Sequence, residues 1–172
     1  MKLRLWRVGK EMSEISSSAR DFLSEQSVLT LSIVDEVGCW AAPVLYAVEF
    51  SIGAFSLYFL SSDSSRHIQA LAYDDQIAAS IYADYQGRWQ SICGMQMKGQ
   101  VSVVETAHQE YGHEAYFSRF PEIKELIDHP ANEQEQRIGA AFAKSHLYRF
   151  SPNFVRFINN SDRFAGRTEW QI

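Results

Sequence analysis

The stretch Phe59-Leu-Ser-Ser-Asp-Ser-Ser-Arg-His-Ile-Gln-Ala-Leu71 contains the junction between an apolar strand and a short helix. Residues 54–60 are aromatic and apolar, as in a buried strand, whereas Ile68 and Leu71 follow with helical spacing. The residues between these two patterns are Asp and Ser, which are preferred at helix N-caps. The sequence therefore predicts a strand that ends near Ser61 and a helix that begins near Ser65.

The polar side chains of this junction favour an anion site. A helix start exposes backbone N–H groups and the positive end of the helix dipole, and both attract a phosphate. Hydroxyl and cationic side chains nearby would add hydrogen bonds. The alternative is a capped surface helix with one solvated arginine. The residues of the predicted phosphate site are Ser61, Ser62, Ser65, Arg66 and His67.

Length and composition predict one globular domain. The chain has 172 residues, of which 46% are hydrophobic, so residues 1–172 have room for one sizeable core. The formal net charge of -5 disfavours a nucleic-acid-binding surface. No stretch approaches the roughly 20 apolar residues that span a bilayer. Cys39 and Cys93 are isolated, so we expect reduced cysteines and a cytoplasmic protein.

The rest of the chain alternates between helical and extended patterns. An amphipathic helix at 11–26 precedes three extended runs, whose short turns predict an antiparallel meander. A later long strand contains Gly94 and Gly99, where a bulge costs least, and such a strand suits a closing barrel. The predicted segments are strands at 28–34, 39–50 and 54–61, a helix at 65–73, strands at 77–85 and 89–105, a helical region at about 106–145, and extended structure at 146–157.

Familiar catalytic and metal-binding patterns are missing from the sequence. The histidines show no H-E-x-x-H spacing, and His108 and His113 are five residues apart, a poor match to one helix face. No G-x-S-x-G nucleophile elbow occurs, and the glycines are too widely spaced for a phosphate-binding loop. The sequence therefore predicts no metal site and identifies no catalytic residue.

The second predicted strand has the composition of a surface for a flat ligand. Its segment Ala41-Ala-Pro-Val-Leu-Tyr46 places small residues and a proline where a sheet backbone could lie against a ring. A flavin needs such a surface, with backbone groups for the ring edge, apolar area for its face and donors for its phosphate. The alternative is that Ala41, Ala42 and Pro43 only form an edge strand.

The order of these elements resembles the FMN-binding split barrel of the pyridoxamine 5'-phosphate oxidase-like proteins. In that family a strand ends in a hydroxyl residue and Ser-Arg-Lys follows at the helix start; the matching residues are Ser61 and Ser65-Arg66-His67. The spacing of Lys98-Gly99 and the tail Phe164-Ala-Gly-Arg-Thr-Glu-Trp170 are similar to small bacterial YhbP-type proteins. The resemblance covers nearly the whole chain. It implies an α+β fold, mainly β, with an antiparallel Greek-key-like barrel and flanking helices.

The resemblance also implies a function and a set of site residues. Family members build each FMN site from both subunits of a homodimer, so the implied protein is a dimeric flavin-dependent oxidoreductase of unknown substrate. The flavin would carry hydride or electron transfer, and the protein would position it. The implied cofactor-binding residues are Ser61, Ser62, Ser65, Arg66 and His67 for the phosphate, the backbone of Val44, Leu45 and Tyr46 for the isoalloxazine, and Gln96 or Lys98 for its polar edge.

Departures from the oxidase pattern leave a second interpretation open. Ala41 and Tyr46 stand where the oxidase has Arg and Lys, and His67 replaces a Lys. Gly94 stands where the oxidase has a flavin-contacting Gln, and its substrate-phosphate residues have no clear match. These differences argue against pyridoxamine phosphate oxidase activity. The alternative is a non-catalytic split-barrel binding module, either empty or holding haem or another flat ligand, with His67 as the candidate axial ligand of haem.

Overall fold

Eight antiparallel strands and five α-helices form the part of the chain that the computed structural model describes, residues 15–161 and 165–172 without the side chains of 106–108. None of the helices in these residues is both long enough and apolar enough to cross a membrane. Two short 3-10 helices lie at Ala70–Ala72 and Trp89–Ser91. The helices are α1 (Ser17–Glu25), α2 (Arg66–Gln69), α3 (Thr106–Arg119), α4 (Pro121–Asp128) and α5 (Glu133–Ala143), and the strands are β1 (Val28–Asp35), β2 (Gly38–Leu45), β3 (Ala47–Ser51), β4 (Ala54–Ser61), β5 (Gln76–Tyr82), β6 (Cys93–Val103), β7 (His146–Asn159) and β8 (Arg167–Gln171).

One bent segment connects the two ends of the sheet. The hydrogen-bonded strand order is β2-β1-β5-β6-β7-β4-β3, with β8 paired to β7, so β2 and β3 are the terminal strands. Only Tyr46 separates these two strands in sequence. The single strand predicted at 39–50 is therefore two strands, because its first half pairs with β1 and its second half pairs with β4. The bent segment still pairs with β1 before it and with β4 after it, as in the predicted meander. The bend at Tyr46 closes the sheet into the predicted barrel.

The pairing of β6 with β7 contains a bulge, whose extra residue is Asn153 of β7. The register between β6 and β7 shifts between Lys98 and Gly99. A Cβ atom at Gly99 would collide with the backbone carbonyl oxygen of Ser151. Only a glycine fits at this close approach of two backbones. The predicted irregularity is confirmed next to Gly99, although the extra residue belongs to β7, and the register runs unbroken through Gly94.

Two apolar clusters use opposite faces of β4. Leu57 and Phe59 are fully buried inside the barrel, as the alternation of strand side chains requires. Tyr58 points the other way and packs beneath the helices, beside Tyr116 and Phe120 of the α3–α4 region. Fully burying one such aromatic side chain stabilises the fold by about 1.5–3 kcal/mol. Both faces of β4 are therefore covered by apolar packing.

The first helix is shorter than its sequence pattern predicts. It begins at Ser17, and Ser16 caps it by accepting a hydrogen bond from the Ala19 backbone N–H over 3.3 Å. Ser16 is the first of three consecutive serines, and its short hydroxyl side chain is of the kind that commonly caps a helix. Predictions that involve residues 11–14, Arg163 and Phe164 lie outside the described residues.

Candidate functional site

Three of the predicted site residues meet where β4 ends and α2 begins. Ser61 Oγ lies 3.0 Å from Ser65 Oγ and 2.8 Å from His67 Nε2, and Ser65 Oγ lies 3.3 Å from the same nitrogen. Ser65 is the N-cap residue of α2, but its hydroxyl does not cap the helix because it turns towards Ser61 and His67. We call Ser61, Ser65 and His67 the junction cluster.

The junction cluster carries no formal charge at neutral pH. Burial lowers the pKa of His67 below its usual value of 6.5, because the surrounding protein does not solvate an imidazolium as well as water does. Serine hydroxyls and a neutral imidazole can each donate or accept, so their hydrogen bonds can be rearranged without moving a charge. Ser61 is 7% exposed at the end of its strand. The cluster is therefore an adaptable polar group at one end of the barrel.

Ser62 is separated from the junction cluster by its own turn. Its hydroxyl lies 2.8 Å from Ser64 Oγ and accepts a hydrogen bond from the Ser64 backbone N–H over 3.3 Å. Ser62 is exposed, and its carbonyl accepts a hydrogen bond from the Ser65 N–H over 3.0 Å. The structure assigns this residue a role in the turn, and its phosphate role stays a prediction.

Asp63 belongs to a second polar group that sequence reasoning missed. It accepts a hydrogen bond from the Tyr148 hydroxyl over 2.7 Å, and its Oδ1 atom lies 2.6 Å from His146 Nδ1. The hydrogen bond from Tyr148, followed by that of His146, lowers the pKa of Asp63. The contact joins residues 83 positions apart and arises because Ser61 of β4 pairs with His146 of β7. No local pattern in the sequence indicates this group.

Arg66 extends away from the junction cluster to the β1–β2 hairpin. Its Nε donates to Asp35 Oδ2 over 2.6 Å and its Nη2 donates to Asp35 Oδ1 over 2.9 Å. Its Cζ lies 4.7 Å from the centroid of the Trp40 ring, within the range of a cation–π contact. The hydrogen bond from Arg66 is the main cause that lowers the pKa of Asp35 to about 2. The cation predicted for the phosphate is thus held by a carboxylate of the protein.

The predicted flavin-contacting part of β2 is tied closely to the fold. Tyr46 is 1% exposed, and its hydroxyl donates to the carbonyl of Leu23 over 2.8 Å. Its backbone N–H donates to the Ser27 carbonyl over 3.0 Å, while Val44 and Leu45 pair with β1. Because β2 is terminal in the strand order, only one of its edges pairs with a described strand. The backbone role of residues 44–46 stays a prediction, and the Tyr46 side chain belongs to the core.

Residues of β1, β2 and β5 with short side chains lie on the outside of the barrel, and we call this surface the outer face. It continues onto β6, where the two predicted flavin-edge residues lie, both exposed. Gln96 Oε1 accepts from Arg156 Nη1 over 3.4 Å, and Lys98 Nζ lies 5.9 Å from the centroid of the Phe154 ring. The strand registers place two rows across this face, Ala41, Ser32, Ala78 and Lys98 in one and Pro43, Thr30, Ser80 and Gln96 in the other.

A cleft of about 500 Å³ opens on the outer face next to Trp40. Trp40 is 45% exposed and also supports the Arg66 guanidinium. Its volume is within the range of about 300–1,000 Å³ that is common for ligand pockets. Its lining includes Ser32, Trp40, Ala41, Asp74, Gln76 and Ala78. Sequence reasoning missed Trp40 and Asp35, because their importance comes only from their contact with Arg66.

No protein-family model matches the chain. It is 25% identical over 152 residues to the UPF0306 protein YhbP of Salmonella paratyphi A, which covers 87% of this chain and 88% of that protein. The UPF0306 protein YhbP of Escherichia coli O157:H7 is 21% identical over 152 residues, which are 87% of this chain and 88% of that protein. The predicted similarity to YhbP-type proteins is confirmed.

Solved structures with the same fold include a haem-binding protein, a FAD-binding protein and a member of the pyridoxinephosphate oxidase family. A haem-binding protein from Mycobacterium smegmatis superposes with a TM-score of 0.64 at 18% identity, over 92% of this chain and 60% of that one. A FAD-binding protein from Mesorhizobium loti superposes with a TM-score of 0.58 at 14% identity, over 82% of this chain and 92% of that one. A protein of the pyridoxinephosphate oxidase family from Clostridium acetobutylicum is related to general stress protein 26. It superposes with a TM-score of 0.58 at 10% identity, over 90% of this chain and 92% of that one. The predicted split-barrel fold is confirmed.

Proposed function

We propose that this split-barrel relative of the UPF0306 YhbP proteins binds FMN at a homodimer interface and is a flavin-dependent oxidoreductase of unknown substrate. The observation that carries the proposal is the convergence of Ser61, Ser65 and His67 at the end of β4. Arg66 lies between Ser65 and His67 in the sequence. The FAD-binding protein and the pyridoxinephosphate oxidase family member with this fold support the choice of a flavin.

The junction cluster fits a phosphate because its members can all become donors. A phosphate oxygen accepts hydrogen bonds, and the two serine hydroxyls and the imidazole can rotate or change tautomer to offer their hydrogens. A bound dianion would also raise the pKa of His67 towards its ordinary value, since a nearby negative charge favours the imidazolium. Arg66 donates to Asp35 through Nε and Nη2. The hydrogens of Nη1 take no part in that ion pair and could be donated to a phosphate.

The outer face fits the ring system of a flavin. Ala41 and Pro43 of β2 are exposed and small, so a flat ring can approach the backbone closely. Gln96 and Lys98 extend from the same face and could hydrogen-bond a polar ring edge. When bound, the flavin would supply hydride or electron transfer. The chain would bind and orient it through Ser61, Ser62, Ser65, Arg66 and His67, through the backbone of Val44, Leu45 and Tyr46, and through Gln96 or Lys98.

A second copy of the chain is the proposed cover of the outer face. Most side chains of the face are short, and the face continues to β2, whose outer edge is terminal in the described strand order. Light scattering of the purified protein checks this part, because a homodimer has twice the chain mass of 19.7 kDa. A monomer at micromolar concentration would contradict it. We also propose a cytoplasmic location, which the free thiol of Cys39 supports.

A haem-binding module without redox turnover is the second candidate function. The haem-binding neighbour from Mycobacterium smegmatis favours it, and a neutral His67 is in the protonation state that iron ligation needs. However, His67 Nε2 lies 2.8 Å from Ser61 Oγ, so ligation through this atom would cost the cluster a hydrogen bond. A phosphate would also replace hydrogen bonds within the cluster, but its oxygens would accept new ones from the same hydroxyls and imidazole.

Titration of the apo-protein with FMN, riboflavin and haemin separates these candidates. The fluorescence of FMN should be quenched when it binds, with a Kd in the micromolar range or below. Riboflavin should bind more weakly because it lacks the phosphate. Bound haemin would instead produce a shifted Soret band, and a His67→Ala variant would change that band if His67 is the ligand. Absence of flavin binding would reject the proposed function and leave the fold unaffected.

A further inference from the structure

Asp35 accepts hydrogen bonds from the Arg66 guanidinium, which is the cation of the proposed phosphate site. The two hydrogen bonds between Arg66 and Asp35 measure 2.6 and 2.9 Å, in the two-pronged arrangement by which arginine also binds phosphate. The Trp40 ring lies against the guanidinium at 4.7 Å, and Arg66 Nη2 lies 3.5 Å from the Gly38 carbonyl oxygen. The hairpin therefore holds Arg66 by an ion pair, a ring contact and a weak backbone contact.

We infer that Asp35 determines ligand selectivity by competing with phosphate for Arg66, so that it reduces the preference of the site for phosphorylated over unphosphorylated ligands. The inference rests on the proposed function, because it concerns the same site and the same class of ligand. It assigns a role in ligand choice to a residue of the β1–β2 hairpin that lies 31 positions before Arg66.

The charges around the junction support this competition. Arg66 and Asp35 together carry no net charge. A phosphate that approaches the guanidinium therefore also approaches the carboxylate that is hydrogen-bonded to it. The attraction and the repulsion vary with distance in the same way and largely offset each other. His67 does not restore the missing positive charge, since its burial favours the neutral ring. At the low pKa of Asp35 its carboxylate stays ionised throughout the physiological range.

The Asp35→Asn substitution removes this charge with little change in shape. Asp35 Oδ1 accepts hydrogen bonds from the backbone N–H groups of Val37 and Gly38, over 2.9 and 3.1 Å, and these bonds shape the hairpin turn. The carbonyl oxygen of an asparagine can accept both of them. The variant therefore separates the charge of Asp35 from its structural role in the turn. Glu36→Gln is the matched control, because it removes one exposed negative charge from the neighbouring position.

The experiment measures Kd values of FMN and riboflavin for the full chain and for these variants. In Asp35→Asn, FMN affinity should rise about tenfold, as removing a competing charge near a phosphate can do, while riboflavin affinity changes less than about twofold. Glu36→Gln should leave both affinities within about twofold. Adding Arg66→Ala to Asp35→Asn should abolish the gain. Unchanged or weaker FMN binding in Asp35→Asn would overturn the inference, because Asp35 would then orient Arg66 for the phosphate.

Inorganic pyrophosphate distinguishes failure of this inference from failure of the proposed function. If no variant binds either flavin, the proposed function fails. The nitrogen NMR signal of Arg66 Nε, assigned with an Arg66→Lys variant, then reports whether the guanidinium meets a phosphate group. A shift at lower pyrophosphate concentration in Asp35→Asn than in the unsubstituted protein would still support competition by Asp35. Equal responses of the two proteins, or none in either, would overturn it.

Discussion

Arg66 and His67 are neighbours in α2, yet their side chains reach different parts of the molecule. Arg66 extends to the β1–β2 hairpin and pairs with Asp35, whereas His67 turns back to Ser61 and Ser65. The difference follows from their chemistry. A guanidinium keeps its charge at any relevant pH and is stabilised by a carboxylate, whereas an imidazole can lose its proton and share hydrogen bonds with hydroxyls. Adjacent residues that suggest one phosphate site thus have separate partners.

The hydroxyls of Tyr46 and Ser61 show the same contrast. Tyr46 donates to a backbone carbonyl inside the barrel and is 1% exposed. Ser61 bonds to Ser65 and His67 at the end of the barrel. A group that satisfies the backbone is part of the fold, whereas groups that satisfy each other can exchange partners when a ligand arrives. Four experiments test this distinction.

Arg66→Ala should have the largest effect on FMN binding. Loss of a charge-assisted hydrogen bond should weaken binding by about 1.5–3 kcal/mol, and Asp35 would be left as an unpaired negative charge near the phosphate. Riboflavin affinity should not change. The measurement is flavin fluorescence quenching, with the exposed Arg88→Ala variant as the control for net charge. An unchanged FMN Kd would remove Arg66 from the phosphate site and leave the junction cluster alone in that role.

Tyr46→Phe should lower stability and leave flavin binding intact. The substitution removes the donor to the buried Leu23 carbonyl, so we expect the free energy of unfolding to fall by about 1.5 kcal/mol. Urea denaturation gives this value, and Tyr111→Phe, at an exposed position of α3, is the control. A variant with normal stability but weakened FMN binding would show that the Tyr46 hydroxyl acts in the site.

Ser61→Ala should give the reverse result. The hydroxyl is one of three neutral donors in the junction cluster, so its loss should weaken FMN binding by about 1 kcal/mol and leave riboflavin binding unchanged. Ser118→Ala, at an exposed position of α3, is the control. If Ser61→Ala destabilises the protein without any effect on FMN, the junction cluster serves the fold and the contrast with Tyr46 disappears.

The smallest effect is expected on the acid sensitivity of folding, which the Asp35→Asn variant tests. The pKa of Asp35 is about 2 in the folded protein against an ordinary 3.8. The ion pair therefore stabilises the protein above about pH 4, and this contribution is lost as the pH falls towards 2. Urea denaturation between pH 5 and 2.5 should show a steeper loss for the unsubstituted protein than for the variant. Parallel curves would mean that the Arg66–Asp35 pair contributes no net stability.

Sequence patterns predicted the local features of the site. The end of β4 at Ser61 and the start of α2 next to Ser65 follow from residue types within a few positions of each other, and so does the register shift next to Gly99. The split-barrel fold was expected because the order of the elements resembles that of a known family. Helix caps, strand alternation and glycine bulges depend on short-range sterics and hydrogen bonds, so they can be recognised in the sequence itself.

Only the tertiary structure decided which of these polar residues meet. Arg66 pairs with a carboxylate 31 positions earlier, and Asp63 contacts His146 83 positions later. Both contacts depend on how the strands of the barrel are ordered and registered, and a shift of one residue would turn each strand side chain to the opposite face. The sequence by itself determined where the junction lies and which polar groups it contains. The barrel determined that Ser61, Ser65 and His67 share hydrogen bonds while Arg66 pairs with Asp35, because strand pairing brings distant residues together.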